Sequence, residues 1–422
     1  MRVAGIISEF NPFHKGHRHL VDTVRSRLQP EGIVTVMSGS FVQRGEPAMW
    51  DKWTRASCAL ENGVDLVLEL PVCYAVNGAA EFALGGVGIL QGIGIVTDIA
   101  FGSESGDRAA LEGAAEALVD ESPLFEKRIR ESLREGIPYP AAYERAALGE
   151  DAARAPILEG ILAGSNDILA LEYIKQMKRF KAGFDILPVK RLGAVHDQAD
   201  PVQGHASAGS IRRMIEEGAS AEKWGPFLPE ETLGILASGA PFGPREQDRY
   251  FALLRHVLIT RDAAELASLV SVGEGLENRL KQAVIRAGST DEMIRSIKSK
   301  RYTYARISRI LVQALLSMDR SGYERIRKEK AFYARVLGFS PAGAKLLRVM
   351  GRESNIPVFT NIRQADGAGE EILDSLAWDC LASDTYSILS GTDIYQGSDR
   401  VRKPCVKGTQ TEKICTPDAQ RV

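Results

Sequence analysis

Val3-Ala4-Gly5-Ile6-Ile7-Ser8, running on through Glu9-Phe10-Asn11-Pro12-Phe13-His14-Lys15-Gly16-His17, is the stretch on which the reading of the fold turns. Its first six residues form a nearly continuous apolar run, the pattern of a parallel strand buried on both faces. From Gly16 to Leu28 the period changes, with Leu20, Val24 and Leu28 spaced every four residues on one helical face. A buried strand that feeds a helix through a short loop is the opening unit of an α/β fold.

The same alternation continues along the chain. Ile33–Met37, Asp65–Leu70 before Pro71, Asp98–Phe101 and Phe184–Val189 read as further strands. Helical patterns fall at Asp51–Asn62, with Asp51 as N-cap and Gly63 as stop, and at Ala79–Leu90, Asp107–Val119 and Asp167–Lys178. This order predicts a Rossmann-like, doubly wound and mostly parallel sheet over residues 1–220. Gly and Pro cluster near Gly218–Pro229, where a boundary is expected, and residues 221–422 read as a mostly α-helical second domain. Helical periodicity dominates from Gln247 to about Leu337. Beyond Gly351 come a short strand at Pro357–Phe359, a helix-like Glu370–Ala382 and a polar, loose tail from about Gln396.

A chain of 422 residues with 44% hydrophobic and 26% charged residues is an ordinary folded composition with a sizeable core. No apolar run approaches the roughly 18 residues of a membrane span, and the N-terminus meets Glu9 too soon to be a signal peptide. Five cysteines without a C-x-x-C pair read as reduced thiols, in keeping with a cytoplasmic protein. No metal-ligand cluster is visible, and the absence of any Gly-Lys pair excludes a Walker A loop.

His14-Lys15-Gly16-His17 lies at the start of the first helix. Helix N-termini expose unpaired N–H groups and a positive partial charge, and Gly16 lets the backbone approach an anion. His14 and His17 can donate to phosphoryl oxygens and to the charge that builds as pyrophosphate departs. They are the candidate catalytic residues; two exposed loop histidines are the plain alternative.

H-x-G-H after an N-terminal strand resembles the HIGH-type nucleotidyltransferase superfamily. The longer strings Ser8–His17, Ser38-Gly39-Ser40-Phe41-Val42-Gln43-Arg44-Gly45-Glu46-Pro47-Ala48 and Glu69-Leu70-Pro71 resemble the bacterial tRNA(Met) cytidine acetate ligases. So do Phe101-Gly102-Ser103-Glu104-Ser105, Gly164-Ser165-Asn166 and Lys298-Ser299-Lys300-Arg301-Tyr302-Thr303, which spread the resemblance over most of the chain. It implies a ligase that activates acetate with ATP, accompanied by Mg²⁺, to acetyl-adenylate. The acetyl group then passes to N4 of the wobble cytidine of elongator tRNA(Met), with no obligate protein partner. The resemblance further implies that ATP is held by Ile7, Ser8, Glu9, Phe10, Asn11, Pro12, Phe13, His14, Lys15, Gly16, His17 and Leu20, and by Gly102, Asn166 and Arg191. The residues themselves allow this: Gly102 ends a strand, Asn166 precedes a helical run and its amide could read a base or ribose, and Arg191 follows a strand and could neutralise phosphate.

The superfamily's S-x-x-x-I-R helix start matches Ser207-Ala208-Gly209-Ser210-Ile211-Arg212. Ser207, Ser210 and Arg212 are candidates for the β,γ-phosphates; a serine N-cap with a surface arginine explains the string equally well. His196, beside Asp197, and His205 stay undecided between site and loop. Trp50–Arg55 reads as a helix packed on the sheet, or as an edge that positions acetate or the target base. Gly86-Val87-Gly88 reads as helix packing.

Residues 298–348 hold thirteen Lys or Arg against three acids, a local balance of +10 in a chain whose total is −2. Lys298, Lys300, Arg301, Arg306 and Arg309 lie close together with Tyr302 and Tyr304 interleaved, so they are the candidate tRNA-binding residues. A solvated helix face is the alternative, although such faces usually mix signs. Two other functions fit parts of this pattern. One is an adenylyltransferase acting on a small phosphorylated acceptor, which leaves the basic half unexplained. The other is a non-catalytic RNA-binding protein that senses ATP.

Overall fold

The computed structural model describes residues 1–119, 123–135, 137, 139–149, 155–191, 206–237, 239–273, 275–299, 301–397 and 399–408. His196, Asp197, His205 and Lys300 lie outside them.

Ten strands are found among the described residues: β1 (Val3–Ser8), β2 (Gly32–Ser38), β3 (Phe41–Val42), β4 (Glu46–Pro47), β5 (Leu66–Leu70), β6 (Asp98–Ser103), β7 (Asp185–Lys190), β8 (Ala334–Phe339), β9 (Val358–Phe359) and β10 (Cys405–Val406). The main sheet runs β10-β8-β5-β2-β1-β6-β7, with β9 on β8, while β3 and β4 form a small hairpin. The five strands from β5 to β7 are all parallel. In chain order they stand third, second, first, fourth and fifth, the doubly wound arrangement. The order reverses between β1 and β6, and at such a switch point a crevice opens beyond the carboxyl ends of the strands.

The apolar runs explain why the strands form where they do. Val3, Ala4, Ile6, Ile33, Val34, Val36, Leu66, Val67 and Leu68 are all buried, as expected of a parallel sheet covered by helices. The helices Lys15–Leu28, Lys52–Glu61, Ala79–Gly92 and Ser165–Phe180 match the helical patterns read from the sequence. A Cβ on Gly86 would lie 2.7 Å from Ile7, so the glycines of Ala79–Gly92 serve close packing on the sheet.

The sheet also crosses the boundary expected near residue 220. β8 lies inside the stretch read as helical up to Leu337 and pairs antiparallel with β5. A short apolar run does not distinguish a strand from a buried helical turn by period alone. The tail from Gln396 reads as loose in the sequence, yet β10 pairs with β8 and Asp399 is buried. These segments meet β5 and the helix Lys52–Glu61 at a buried charge cluster. Lys52 Nζ lies 2.5 Å from Glu69 and 2.8 Å from Asp399, and Arg335 lies 3.0 Å from Asp399. Lys52 is therefore a structural cation rather than part of an edge that positions a substrate.

In chain order between β7 and β8, the helices Pro244–Thr260, Leu276–Arg286, Thr290–Ile297 and Tyr304–Leu315 bury Leu254, Leu258, Leu280, Ile294, Ile307 and Leu311. Among the described residues no helix is long and apolar enough to cross a membrane.

Candidate functional site

At the C-terminal end of β1 the chain turns sharply. Phe10 has φ +45°, an uncommon conformation for a bulky residue, and its ring packs 4.8 Å from that of Phe13. Arg55, fully buried, holds this turn from below. Its guanidinium donates to the carbonyls of Glu9 (2.6 Å), Ser38 (3.0 Å), Gly39 and Trp50 (2.9 Å). One side chain thus ties the loop after β1 to the loop after β2. Nothing in the sequence period distinguishes Arg55 from a surface arginine of its helix.

His14 caps the helix Lys15–Leu28. Its Nδ1 accepts the N–H of Gly16 at 2.9 Å, while Nδ1 of His17 accepts the N–H of His14 at 3.2 Å. A ring nitrogen that accepts a backbone N–H carries no proton, so in the neutral rings the proton sits on Nε2. The two rings stack at 3.8 Å, and that of His17 also meets Phe10 at 4.9 Å. Burial among these rings, with the Arg191 charge adding to it, lowers the His17 pKa from 6.5 to about 3. His17 is accordingly a neutral donor at physiological pH. A Cβ on Gly16 would lie 2.7 Å from Cε1 of His14, which explains the glycine between the histidines.

The ends of β6 and β7 bring the next residues beside this pair. Arg191 donates to Oδ1 of Asn166 at 2.9 Å, and its side chain passes over Gly102, 3.5 Å from where a Cβ would stand. Nδ2 of Asn166 donates to Glu104 at 2.6 Å, so both ends of that amide are engaged within the protein. Glu104 also accepts the N–H of Asp167 at 2.8 Å, and Asp167 accepts those of Glu104 and Ser105, each at 3.0 Å. This exchange of carboxylates fills the N-terminus of the helix Ser165–Phe180 and fixes Asn166 under Arg191. Glu104 stands inside the Phe101–Ser105 motif, but only the fold reveals its task.

The remaining residues of the segment divide between site and support. Ser8 Oγ pairs with Thr35 Oγ1 at 2.9 Å, Ile7 and Leu20 are buried, and Lys15 is exposed. Asn11 accepts the Met49 N–H at 2.7 Å through its side chain, and its carbonyl accepts from Arg212 at 2.8 Å. Ser207 caps the helix Ala208–Glu216 by accepting the Ser210 N–H at 3.0 Å. Arg212 is not a surface arginine: it is buried and lies 3.3 Å from Glu46.

The β3–β4 turn joins this crevice to the basic segment. Gly45 has φ +83°, and a Cβ there would run into the backbone of Ser308 and Arg309. Ser308 Oγ donates to Gly45 O at 2.7 Å, and Arg309 donates to Gln43 O at 3.2 Å. Lys298 and Arg301 are exposed in the link before this helix. Tyr302 does not offer a base-stacking face: it is buried, with the Arg306 guanidinium 4.9 Å above its ring. Tyr304 remains exposed. The basic run is also not one continuous face. Arg320 donates to the carbonyls of Ala267, Leu269 and Val272, Arg325 pairs with Asp374, Arg327 with Glu81, and Arg335 joins the buried cluster.

Histidines locked as Nε2 donors at a sheet's switch point, beside a held arginine, are suited to bind phosphoryl oxygens. The family model described as HIGH Nucleotidyl Transferase matches residues 1–400. The tRNA(Met) cytidine acetate ligase of Clostridium perfringens is 35% identical over 397 residues, covering 92% of this chain and 96% of that protein. The ligase of the same name from a Thermoanaerobacter species is 36% identical over 411 residues, 96% of this chain and all of that protein. The chain belongs to the tRNA(Met) cytidine acetate ligase family. Crystal structures of Thermotoga maritima TmcAL, a family member, superpose with TM-scores of 0.88 (apo) and 0.86 (bound with alpha-thio ATP). Both are 30% identical and cover 96% of this chain and 99% of TmcAL. Family and fold together make this chain an enzyme of the HIGH nucleotidyltransferase superfamily.

Proposed function

We propose that this enzyme activates acetate with ATP to acetyl-adenylate and transfers the acetyl group to N4 of the wobble cytidine of elongator tRNA(Met), in the cytoplasm. The observation that carries this reading is the His14–His17 pair, fixed as neutral Nε2 donors beside Arg191. Acetate oxygen attacks the α-phosphate, and the bond to pyrophosphate breaks. The two Nε2–H groups and Arg191 meet the charge that develops on the phosphoryl oxygens. Ser207, Ser210 and Arg212, at the start of the helix Ala208–Glu216, face the leaving pyrophosphate. A divalent ion such as Mg²⁺ would accompany the triphosphate, whose oxygens are its ordinary ligands.

The part up to about residue 220 carries the activation. Lys298, Lys300, Arg301, Arg306 and Arg309 meet the phosphates of the tRNA, and the packing of Gly45 against Arg309 supports this by bringing the RNA side to the crevice.

The test uses labelled acetate, ATP and bulk bacterial tRNA, with acid-precipitable label counted with and without ATP. The expected result is ATP-dependent label on RNA that H14A and H17A abolish. Acetate-dependent pyrophosphate exchange without labelled RNA would assign a different acceptor. Neither activity, with tRNA still retained on a filter, would leave a binding protein.

A further inference from the structure

The arrangement that makes His14 and His17 donors removes them as bases. Each Nδ1 is occupied by a backbone N–H and each Nε2 carries the proton. Acetyl transfer to an amine nevertheless releases a proton, and something must receive it.

Among the described residues, several carboxylates lie on or near the C-terminal edge of the sheet, and those named next are committed elsewhere. Asp51 caps the helix Lys52–Glu61, taking the N–H groups of Trp53 and Thr54 and the Thr54 hydroxyl. Glu69 is buried against Lys52. Glu104 and Asp167 hold each other's backbones. Glu46 lies against Arg212. Glu9 is different. Its Oε1 accepts the Gln43 N–H at 2.6 Å, and among the described residues no hydrogen bond or ion pair engages Oε2.

Glu9 is also on the side where RNA arrives. The residue whose N–H holds its carboxylate, Gln43, has its carbonyl held by Arg309 of the basic helix. On the other side, Glu9 adjoins Phe10, whose ring packs on His17. It therefore stands between the donors of the activation step and the surface assigned to tRNA.

We propose that Glu9 is the general base of acetyl transfer, a role that rests on the function proposed above. The N4 lone pair of cytidine attacks the acetyl carbonyl carbon and forms the C–N bond. The C–O bond to the adenylate then breaks, and AMP leaves with that electron pair on its phosphate. The N4 proton passes to Oε2 of Glu9 and from there to water. The electrostatic setting suits a base. Burial raises the carboxyl above its usual range, while the Gln43 N–H and the Arg212 and Arg44 charges lower it and Glu46 raises it again. Arg55 from the helix Lys52–Glu61 and Tyr173 from the helix Ser165–Phe180 also face it. A carboxylate with a raised pKa is a stronger base than a free one.

The two half-reactions separate the proposal from the reading beneath it. Chemically prepared acetyl-adenylate, mixed with enzyme and tRNA without ATP, isolates transfer; acetate-dependent ATP–pyrophosphate exchange isolates activation. Glu9→Gln keeps the hydrogen bond from Gln43 and removes the base. Transfer is expected to fall about 10²- to 10⁴-fold, the usual contribution of a general base, and by far more than exchange. In the wild type, transfer rises with pH to a plateau as Glu9 ionises, and in Glu9→Gln that limb disappears. Added formate should restore part of the transfer in Glu9→Ala. Equal transfer in Glu9→Gln and wild type would overturn the proposal and send the proton to water or the departing phosphate. An equal loss in both half-reactions would overturn it too, leaving Glu9 a nucleotide-binding residue. If the wild type itself shows no exchange and no transfer, the underlying function fails instead.

Discussion

The imidazole of His14 stacks on that of His17 with 3.8 Å between ring centroids, while Nδ1 of each ring accepts a backbone N–H. The helix cap and the proposed catalytic donors are thus two edges of the same rings, Nδ1 and Nε2. Any substitution at either position acts on the donor and on the cap together, and the two effects can be told apart by pH.

Since the His17 pKa is lowered to about 3, mainly by burial, its ring does not titrate in the neutral range. Pyrophosphate exchange should show no limb from His17 between pH 5 and 8. Stability should show one. The unfolded chain binds a proton at His17 below about 6.5 and the folded chain does so only near 3. The contribution is therefore present above 6.5 and lost as pH falls toward 3. Urea titrations at pH 7 and pH 4 check this: the wild type should lose more stability between the two than His17→Gln does.

Gly16→Ala separates geometry from stability at the same turn. Alanine is the better helix former by roughly 0.8–1.0 kcal/mol in a helix interior. A displaced His14 gives up a cap worth about 1 kcal/mol, so the two offset and the melting temperature should change little. The new Cβ would lie 2.7 Å from Cε1 and 3.0 Å from Nδ1 of His14, so that ring must move. Exchange is expected to fall at least about tenfold, the cost of roughly 1.4 kcal/mol in one misplaced donor. Unchanged exchange in a folded protein would mean that the His14 ring position is unimportant.

Arg191 is held by Asn166, and Asn166 by Glu104. Asn166→Ala should therefore act through Arg191, raising KM for ATP about 10- to 100-fold, as expected when a charged hydrogen-bond partner is lost. Arg191→Ala should in addition raise the His17 pKa, because that charge is the second cause of its depression. An NMR titration of His17 reads this directly.

The doubly wound half and the histidine motif are legible in the sequence because both are local. Val3–Ser8 is apolar throughout, and the four-residue spacing of Leu20, Val24 and Leu28 is a helical period. What escapes is non-local. β8 pairs with β5, and its Arg335 meets Asp399 and Glu69, which lie 64 and 266 positions away in the chain, and no window of periodicity spans such pairs. Arg55 looks like any polar helix residue until its carbonyl partners from the loops after β1 and β2 converge on it. The basic run misleads in the opposite sense: counting charge does not show that Arg325 and Arg327 already have carboxylates opposite them.

The buried cluster makes a stability prediction. Lys52→Met removes the cation between Glu69 and Asp399 and leaves two buried carboxylates with only Arg335 to share. Breaking such a pair costs about 3–5 kcal/mol. Denaturation in urea should show that loss, and limited proteolysis should cut first near Asp399, where the last strand is anchored. A loss below about 1 kcal/mol would show that Arg335 alone neutralises the cluster.

Two kinds of basic residue are predicted at the RNA face. Lys298 and Arg301 are exposed, so replacing either by Ala should weaken binding of all tRNAs alike. The salt slope should fall by about 0.7–0.9 for each phosphate that is no longer neutralised. Arg309 should behave differently. Desolvation, reinforced by the nearby Arg306, lowers its pKa to about 10, and it donates to the carbonyl of Gln43, whose N–H holds Glu9. Arg309→Ala should therefore slow acetyl transfer even at saturating tRNA, where Lys298→Ala recovers. Filter binding across a salt series, followed by single-turnover transfer at saturation, distinguishes the two. If Arg309→Ala also recovers fully at saturation, the link through Gln43 carries no information from the RNA to the base.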